Sequence, residues 1–190
     1  FGGKAHPEYS EAMRYYDAFL GSRNPSSQHS GRDYVIRSGS TGIFVLDTRT
    51  ERTKTSLLGE AQLQRLLDWL KDDTMTLHII ASPAGWADVD SMGDGWRVRV
   101  EERELVLDAA EKTSGKVILL SGDHHYAVVA ELRPNILELS ASPIRSFPLW
   151  LSHGGTAKTI HSSSYKNHLG RLDVHGNGSA TYSLYSQSYF

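Results

Sequence analysis

Cysteine is absent from all 190 residues. That removes disulfides, thiolate zinc sites, iron–sulfur clusters and a cysteine nucleophile together. Any transition-metal site must therefore draw on histidine, carboxylate or amide oxygen. The compartment stays open, since an exported protein need not carry disulfides. An excess of one charge is also lacking. The formal net charge of -2 gives no electrostatic reason to expect nucleic acid or an acidic membrane as a partner. No apolar run approaches the length of about 20 residues that crosses a bilayer. The first residues hold no basic stretch followed by an apolar core, so no signal peptide is visible. Initiator methionine is missing too: Phe1-Gly2-Gly3 reads as a loop entered midway, and the expectation is a processed or truncated chain. What remains is an ordinary globular composition, 39% hydrophobic and 22% charged, of a length that suits one domain or a large part of one.

The apolar spacing predicts a helix over Pro7 to Leu20, with Tyr15, Tyr16 and Phe19 as its core side, then a polar loop to Gly31. Asp33 to Arg37 and Ile43 to Asp47 read as strands joined by a turn over residues 38–42, the second apolar throughout and so expected to be covered on both faces. Gly59 to Lys71 is predicted helical, with Leu63, Leu66, Leu67 and Leu70 as its stripe. Leu77 to Ala81 follows as a buried strand, Ala84 to Gly95 as a loop, Glu101 to Lys112 as a helix, and Lys116 to Ser121 as another apolar strand. Tyr126 to Leu132 and Ile136 to Ser140 read as strands, Ser152 to Ser164 as loop, and Leu169 to Val174 with Ala180 to Leu184 as a closing hairpin. Helices alternate with strands early and give way to strands later, which predicts a mixed α/β domain.

Chemistry concentrates in Ser121-Gly122-Asp123-His124-His125. A buried strand delivers this run to its carboxyl end, the usual side for ligand sites in α/β sheets. Gly122 permits a tight turn. In an extended segment alternate side chains point the same way, so Asp123 and His125 are expected to converge on one centre as metal ligands. His124 would point toward substrate or toward a neighbour of the metal, and is the catalytic candidate. A loop whose histidines are satisfied by hydrogen bonds is the competing account, and residue types alone leave both open.

Three ordered pieces carry a family resemblance: Val45-Leu46-Asp47-Thr48-Arg49, then Leu58-Gly59-Glu60-Ala61-Gln62-Leu63, then Ser121 to His125. Trp96 stands before a helix bearing Glu102-Arg103, and weaker matches continue through Glu138 to Pro143 and Asn167 to Gly170. From about Arg32 onward the sequence resembles the alkaline phosphatase D-type (PhoD-like) branch of the calcineurin-like metallophosphoesterase superfamily. The resemblance implies the C-terminal half of a four-layer α-β-β-α sandwich, residues 1–190 forming one partial domain with 1–31 as a lead-in helix and loop. It implies hydrolysis of phosphate esters, monoesters or diesters, by metal-activated water. Asp123 and His125 match the superfamily's final Gly-His-x-His metal motif, aspartate at the first position being typical of this branch. Two or more divalent or trivalent ions, from iron, calcium, manganese or zinc, are implied as cofactors of the complete enzyme.

The superfamily's upstream ligand motifs, Asp-x-His, Gly-Asp-x-x-Asp and Gly-Asn-His, do not occur ahead of Ser121 in this chain. A further histidine expected after the middle strand is replaced by Ser82, and His78 inside that strand reads as a packed or edge histidine. The other ligands are then expected from an N-terminal half or another chain, and the missing partner strands would leave sheet edges open to pairing. Family habit implies export, to the periplasm or beyond.

Softer candidates remain. Arg49 or Arg52 would bind a phosphate ester through the planar guanidinium fork, unless Asp47 and Arg49 simply brace their loop. Trp86, Asp88, Asp90, Asp94 and Trp96 line a substrate pocket, bind calcium, or form a solvated acidic loop. Ser142-Pro143, Arg145 and Asn167 rim the site or form a turn and surface loop. His153, His161, His168 and His175 are expected to face solvent. A non-catalytic remnant or interaction module that keeps the fold is the alternative function. A serine hydrolase is a third and disfavoured reading, since adjacent triad members cannot adopt the relay geometry and no Gly-x-Ser-x-Gly elbow occurs.

Overall fold

The apolar runs assemble into one mixed sheet. A computed structural model describes residues 3–25, 29, 31–87, 95–123, 125–145, 157–176 and 178–188. β1 (Tyr34–Ser38) and β2 (Thr41–Val45) form an antiparallel hairpin closed by the Ser38–Thr41 pair. The turn is thus shorter than predicted, because Gly39 takes a φ of 57° that lets two residues close it. β3 (Leu77–Ala81), β4 (Lys116–Ser121) and β6 (Ile136–Ser140) run parallel to β2, with the limits the apolar runs predict. β5 (Ala127–Arg133) and β7 (Lys158–Ser163) add antiparallel neighbours, giving the order β1-β2-β3-β4-β6-β5-β7. β8 (Lys166–Val174) and β9 (Ala180–Ser188) form a separate two-stranded sheet. The fold is mixed α/β, as the resemblance implies. Among the described residues no helix is long and apolar enough to cross a membrane.

Two helices cover the sheet. α2 (Gly59–Trp69) buries Leu66, and α3 (Val100–Glu111) buries Val106, Leu107 and Ala110, all in one cluster with Phe44, Ile80 and Leu119. Each such side chain contributes about 1.5–3 kcal/mol when fully buried. Gly42 is glycine because α2 lies close: a Cβ there would stand 2.4 Å from Met75 Sδ and 3.0 Å from Trp69 Cζ2. The amino end of α2 is capped from a distance. Glu102 on α3 accepts from Leu57 N (2.6 Å), Leu58 N (3.3 Å) and Ser56 Oγ (2.6 Å), and Ser56 Oγ in turn accepts from Gly59 N at 2.8 Å.

Several expectations are corrected. β2 is covered mainly on one face: Phe44 meets Trp69 edge-on at 5.5 Å, while Ile43 and Val45 stay half-buried on the other. α1 (Tyr9–Phe19) buries nothing, and Tyr15 and Phe19 stack at 6.5 Å in the open, since no described element covers them. Lys158 to Ser163 is a strand rather than loop, held by the backbone edge of β5 with little side-chain burial. The closing hairpin is longer at both outer ends than predicted.

His78 is packed, as its place in β3 suggested: fully buried, edge-on to Trp69 at 4.8 Å. Burial pushes its imidazole below the ordinary 6.5, against the pull of Asp72. Burial lowers His168 in the same way. Above pH 6.5 these rings are neutral in both states and cost nothing. As pH falls below that value, the unfolded chain takes up protons that the folded chain refuses, so stability drops by up to about 1.4 kcal/mol per pH unit per histidine. Urea midpoints measured at pH 7.5 and 5.5 should therefore differ in wild type. His78→Phe should flatten the difference; an undiminished slope in that variant would count against His78.

Candidate functional site

Because β2, β3, β4 and β6 are parallel and nearly level, their carboxyl ends release four segments along one edge: Asp47–Arg52, Ser82–Trp86, Ser121–His125 and Ala141–Pro143. The first is built by the two leading motif pieces. Asp47 Oδ1 accepts from Arg49 N and Thr50 N, both at 2.9 Å, which folds the turn on itself. Gln62, buried on α2, donates to Asp47 O and accepts from Asp47 N, each at 2.8 Å. Gly59 has a φ of 70°, and a Cβ there would stand 2.7 Å from Glu51 Cβ. The spaced Leu-Gly-x-x-Gln piece is thus the clamp that holds the turn after β2. Asp47 binds backbone N–H groups rather than the Arg49 side chain, whose Nη2 lies 3.8 Å from Asp123 Oδ2. Arg52 is only 9% exposed, whereas the Arg49 side chain is 54% exposed.

Asp123 and His125 adopt φ values of 65° and 58°. Two left-handed residues do not make an extended segment, so the alternate-position reasoning for their convergence does not hold. Nor does Gly122 supply the turn by close approach, since nothing lies within 4 Å of its would-be Cβ. Asp123 and His125 bend the chain themselves, at about 1–2 kcal/mol each. His125 N donates to Ser142 Oγ at 3.1 Å, tying the end of β4 to the end of β6. His124 lies outside the described residues, as do Asp88, Asp90, Asp94 and His153.

The segment after β3 is structural. Ser82 Oγ donates to Ala84 O (2.7 Å) and accepts from Trp96 Nε1 (3.1 Å), so it is occupied as a brace. Trp86 and Trp96 stack at 4.0 Å with neither exposed, which makes them core rather than pocket wall. Residue chemistry alone does not single out Glu138. It is fully buried on β6 and accepts from Trp86 N (2.9 Å), Ala87 N (2.5 Å) and the Ser121 hydroxyl. An acidic residue in the middle of Ile136-Leu137-Glu138-Leu139 was the available signal. Pro143 and Ser142 form a cis turn with Ser142 buried, and Arg145 is exposed. His161 and His175 are exposed as expected, but His168 is 2% exposed, because β8 starts earlier than predicted and turns that ring inward.

A cleft of about 690 Å³ opens beside Asp47, lined also by Lys4, Arg32, Thr50, Glu60 and Arg65. Its cations are committed: Lys4 to Glu51, Arg32 to Asp17, and Arg65 to the buried Asp33 through two bonds of 3.0 and 2.7 Å. Among the described residues no three histidines or carboxylates gather to hold a metal ion. Asp123 and His125 are suitable in kind, yet stable sites usually need three or four protein donors. The described residues therefore do not form a metal site by themselves.

A family model described as PhoD-like phosphatase matches residues 12–187. Among solved structures, one titled "Structure of PhoD" is similar with a TM-score of 0.59 and 16% identity, covering 93% of this chain and 48% of that one. A purple acid phosphatase, PPD1, isolated from yellow lupin (Lupinus luteus) seeds, is similar over 77% of this chain and 29% of that one, with 13% identity and a TM-score of 0.49. No curated protein matches. This chain thus spans about half the length of the PhoD chain.

Proposed function

The chain belongs to the PhoD-like phosphatase family, its match running over residues 12–187, and on that premise we propose that it forms part of an enzyme that hydrolyses phosphate esters with metal ions. The observation that carries this is the meeting of Arg49 with Asp123 across the ends of β2 and β4, two residues from His125. An exposed carboxylate and an imidazole at a strand-end edge are donors for hard and borderline cations. Metal ions held there would polarise phosphoryl oxygens and lower the pKa of bound water. The remaining donors come, in this reading, from an N-terminal half or another chain. Arg49 supplies a planar donor fork for the phosphate oxygens, with Asp123 holding it at the edge until substrate arrives. The Asp47 turn, clamped by Gln62, keeps that guanidinium's backbone in place.

The test uses the protein carrying this chain at its full natural length, assayed on p-nitrophenyl phosphate and bis-p-nitrophenyl phosphate, with metal content by elemental analysis. Asp123→Ala and His125→Ala should each lower hydrolysis by at least about a hundredfold and reduce bound metal. Undiminished metal in both variants would sink the ligand assignment. Wild-type protein with neither metal nor hydrolysis would favour the non-catalytic module.

A further inference from the structure

His168 sits on β8, outside the strand-end motif, yet it reaches that motif through two bonds. Its backbone N donates to Pro143 O at 2.7 Å, and its ring Nδ1 lies 3.0 Å from Ser142 O. A carbonyl oxygen only accepts, so Nδ1 carries the proton and donates. Two successive carbonyls of the segment after β6 are thus held by one residue. Ser142 in turn accepts from His125 N at 3.1 Å. The docking surface is shaped for this contact. Residues 168, 170 and 172 share one face of β8, with Tyr182 opposite Leu172 on β9. Gly170 leaves the gap: a Cβ there would stand 2.5 Å from Tyr182 Oη and 2.9 Å from Ala141 Cβ. A side chain at 170 would push the hairpin off the Ala141–Pro143 segment.

We propose that His168 is a positioning residue for His125, holding the Ser142–Pro143 carbonyls so that Ser142 Oγ fixes the backbone of the left-handed turn after β4. The proposal takes its chemical meaning from the ligand role given to His125 above. The two rings are not in contact in this chain of bonds; the link runs through backbone and one hydroxyl. Groups that orient a ligand from behind are commonly worth about 10–100-fold in affinity or activity.

Three variants of the natural full-length protein test it: His168→Leu, His168→Asn and Ser142→Ala. Amide hydrogen exchange at His125 and hydrolysis of p-nitrophenyl phosphate are the readouts. His168→Leu should speed His125 exchange by about fivefold or more and lower kcat by about 10–100-fold, with a smaller change in KM. His168→Asn keeps an N–H at the reach of Nδ1 and should recover most of both. Ser142→Ala should speed His125 exchange with the His168 clamp intact, and it decides the matter if His168→Leu fails to fold. Unchanged His125 exchange in a folded His168→Leu or in Ser142→Ala overturns the proposal, as does an asparagine variant no better than leucine. If wild type lacks hydrolysis, the functional reading falls while the exchange measurement still decides the positioning role.

Discussion

Glu138→Leu is expected to destabilise the fold by about 3–5 kcal/mol, enough to leave a domain of ordinary stability partly unfolded. Glu138 is fully buried on β6 and gathers Trp86 N, Ala87 N and the Ser121 hydroxyl. Leucine fills a similar volume but accepts nothing. Two backbone N–H groups and a hydroxyl then stay in the interior unpaired, at about 1–3 kcal/mol each before any water enters. Those donors come from the segment after β3 and from the last residue of β4, so their release loosens the edge that carries Asp123 and His125. Glu138→Gln should fall between, near 2 kcal/mol, because its carbonyl oxygen keeps one acceptor while its NH₂ faces a second donor. Urea unfolding measures all three proteins. A loss under about 1 kcal/mol for leucine would show that Glu138 is not the pin described.

How much of this was legible in the sequence depends on the range of the interaction. β3, β4 and β6 were readable to the residue, since strands with continuous apolar runs advertise themselves locally. β7 was not. Lys-Thr-Ile-His-Ser-Ser has little apolar alternation, and its pairing comes from the backbone of β5, set by residues about 30 positions earlier in the chain. The roles of Gln62, Glu102 and Glu138 were hidden for a related reason: the partners that define them lie 15 residues away for Gln62, 44–46 for Glu102, and 17 and 51–52 for Glu138. The motif pieces are a local pattern whose physics lies in the fold. Gln62 turns out to clamp Asp47, and Gly59 to make room for Glu51. At the strand-end motif the residue types were legible but the geometry was not, because the expectation assumed extended backbone where Asp123 and His125 are left-handed. Arg49, a soft candidate on its own, gained weight only when β2 and β4 were seen to place it against Asp123.

Trp96→Ala should cost about 3–5 kcal/mol, the range for removing a large buried aromatic. Its ring is fully buried and stacks on Trp86 at 4.0 Å with an 11° interplanar angle. Its Nε1 donates to Ser82 Oγ, and its backbone N to Gly85 O. Alanine removes the ring from beneath Trp86, and Trp86 is the residue whose backbone N–H is held by Glu138. Trp96→Phe separates the two contributions. Phenylalanine keeps most of the apolar contact but loses the bond to Ser82, so its cost should be about 1–2 kcal/mol. In a double variant with Ser82→Ala, the Trp96→Phe penalty should shrink, since the hydroxyl no longer waits for an N–H that has gone. Strict additivity there would remove Ser82 from the account. The consequence for the site follows from which atoms move. Ser82 is held by Trp96 from one side and by Ala84 from the other. A serine hydroxyl freed by Trp96→Phe is a poor metal ligand, so metal bound by the natural full-length protein, on the function proposed above, should stay at the wild-type level even as stability falls.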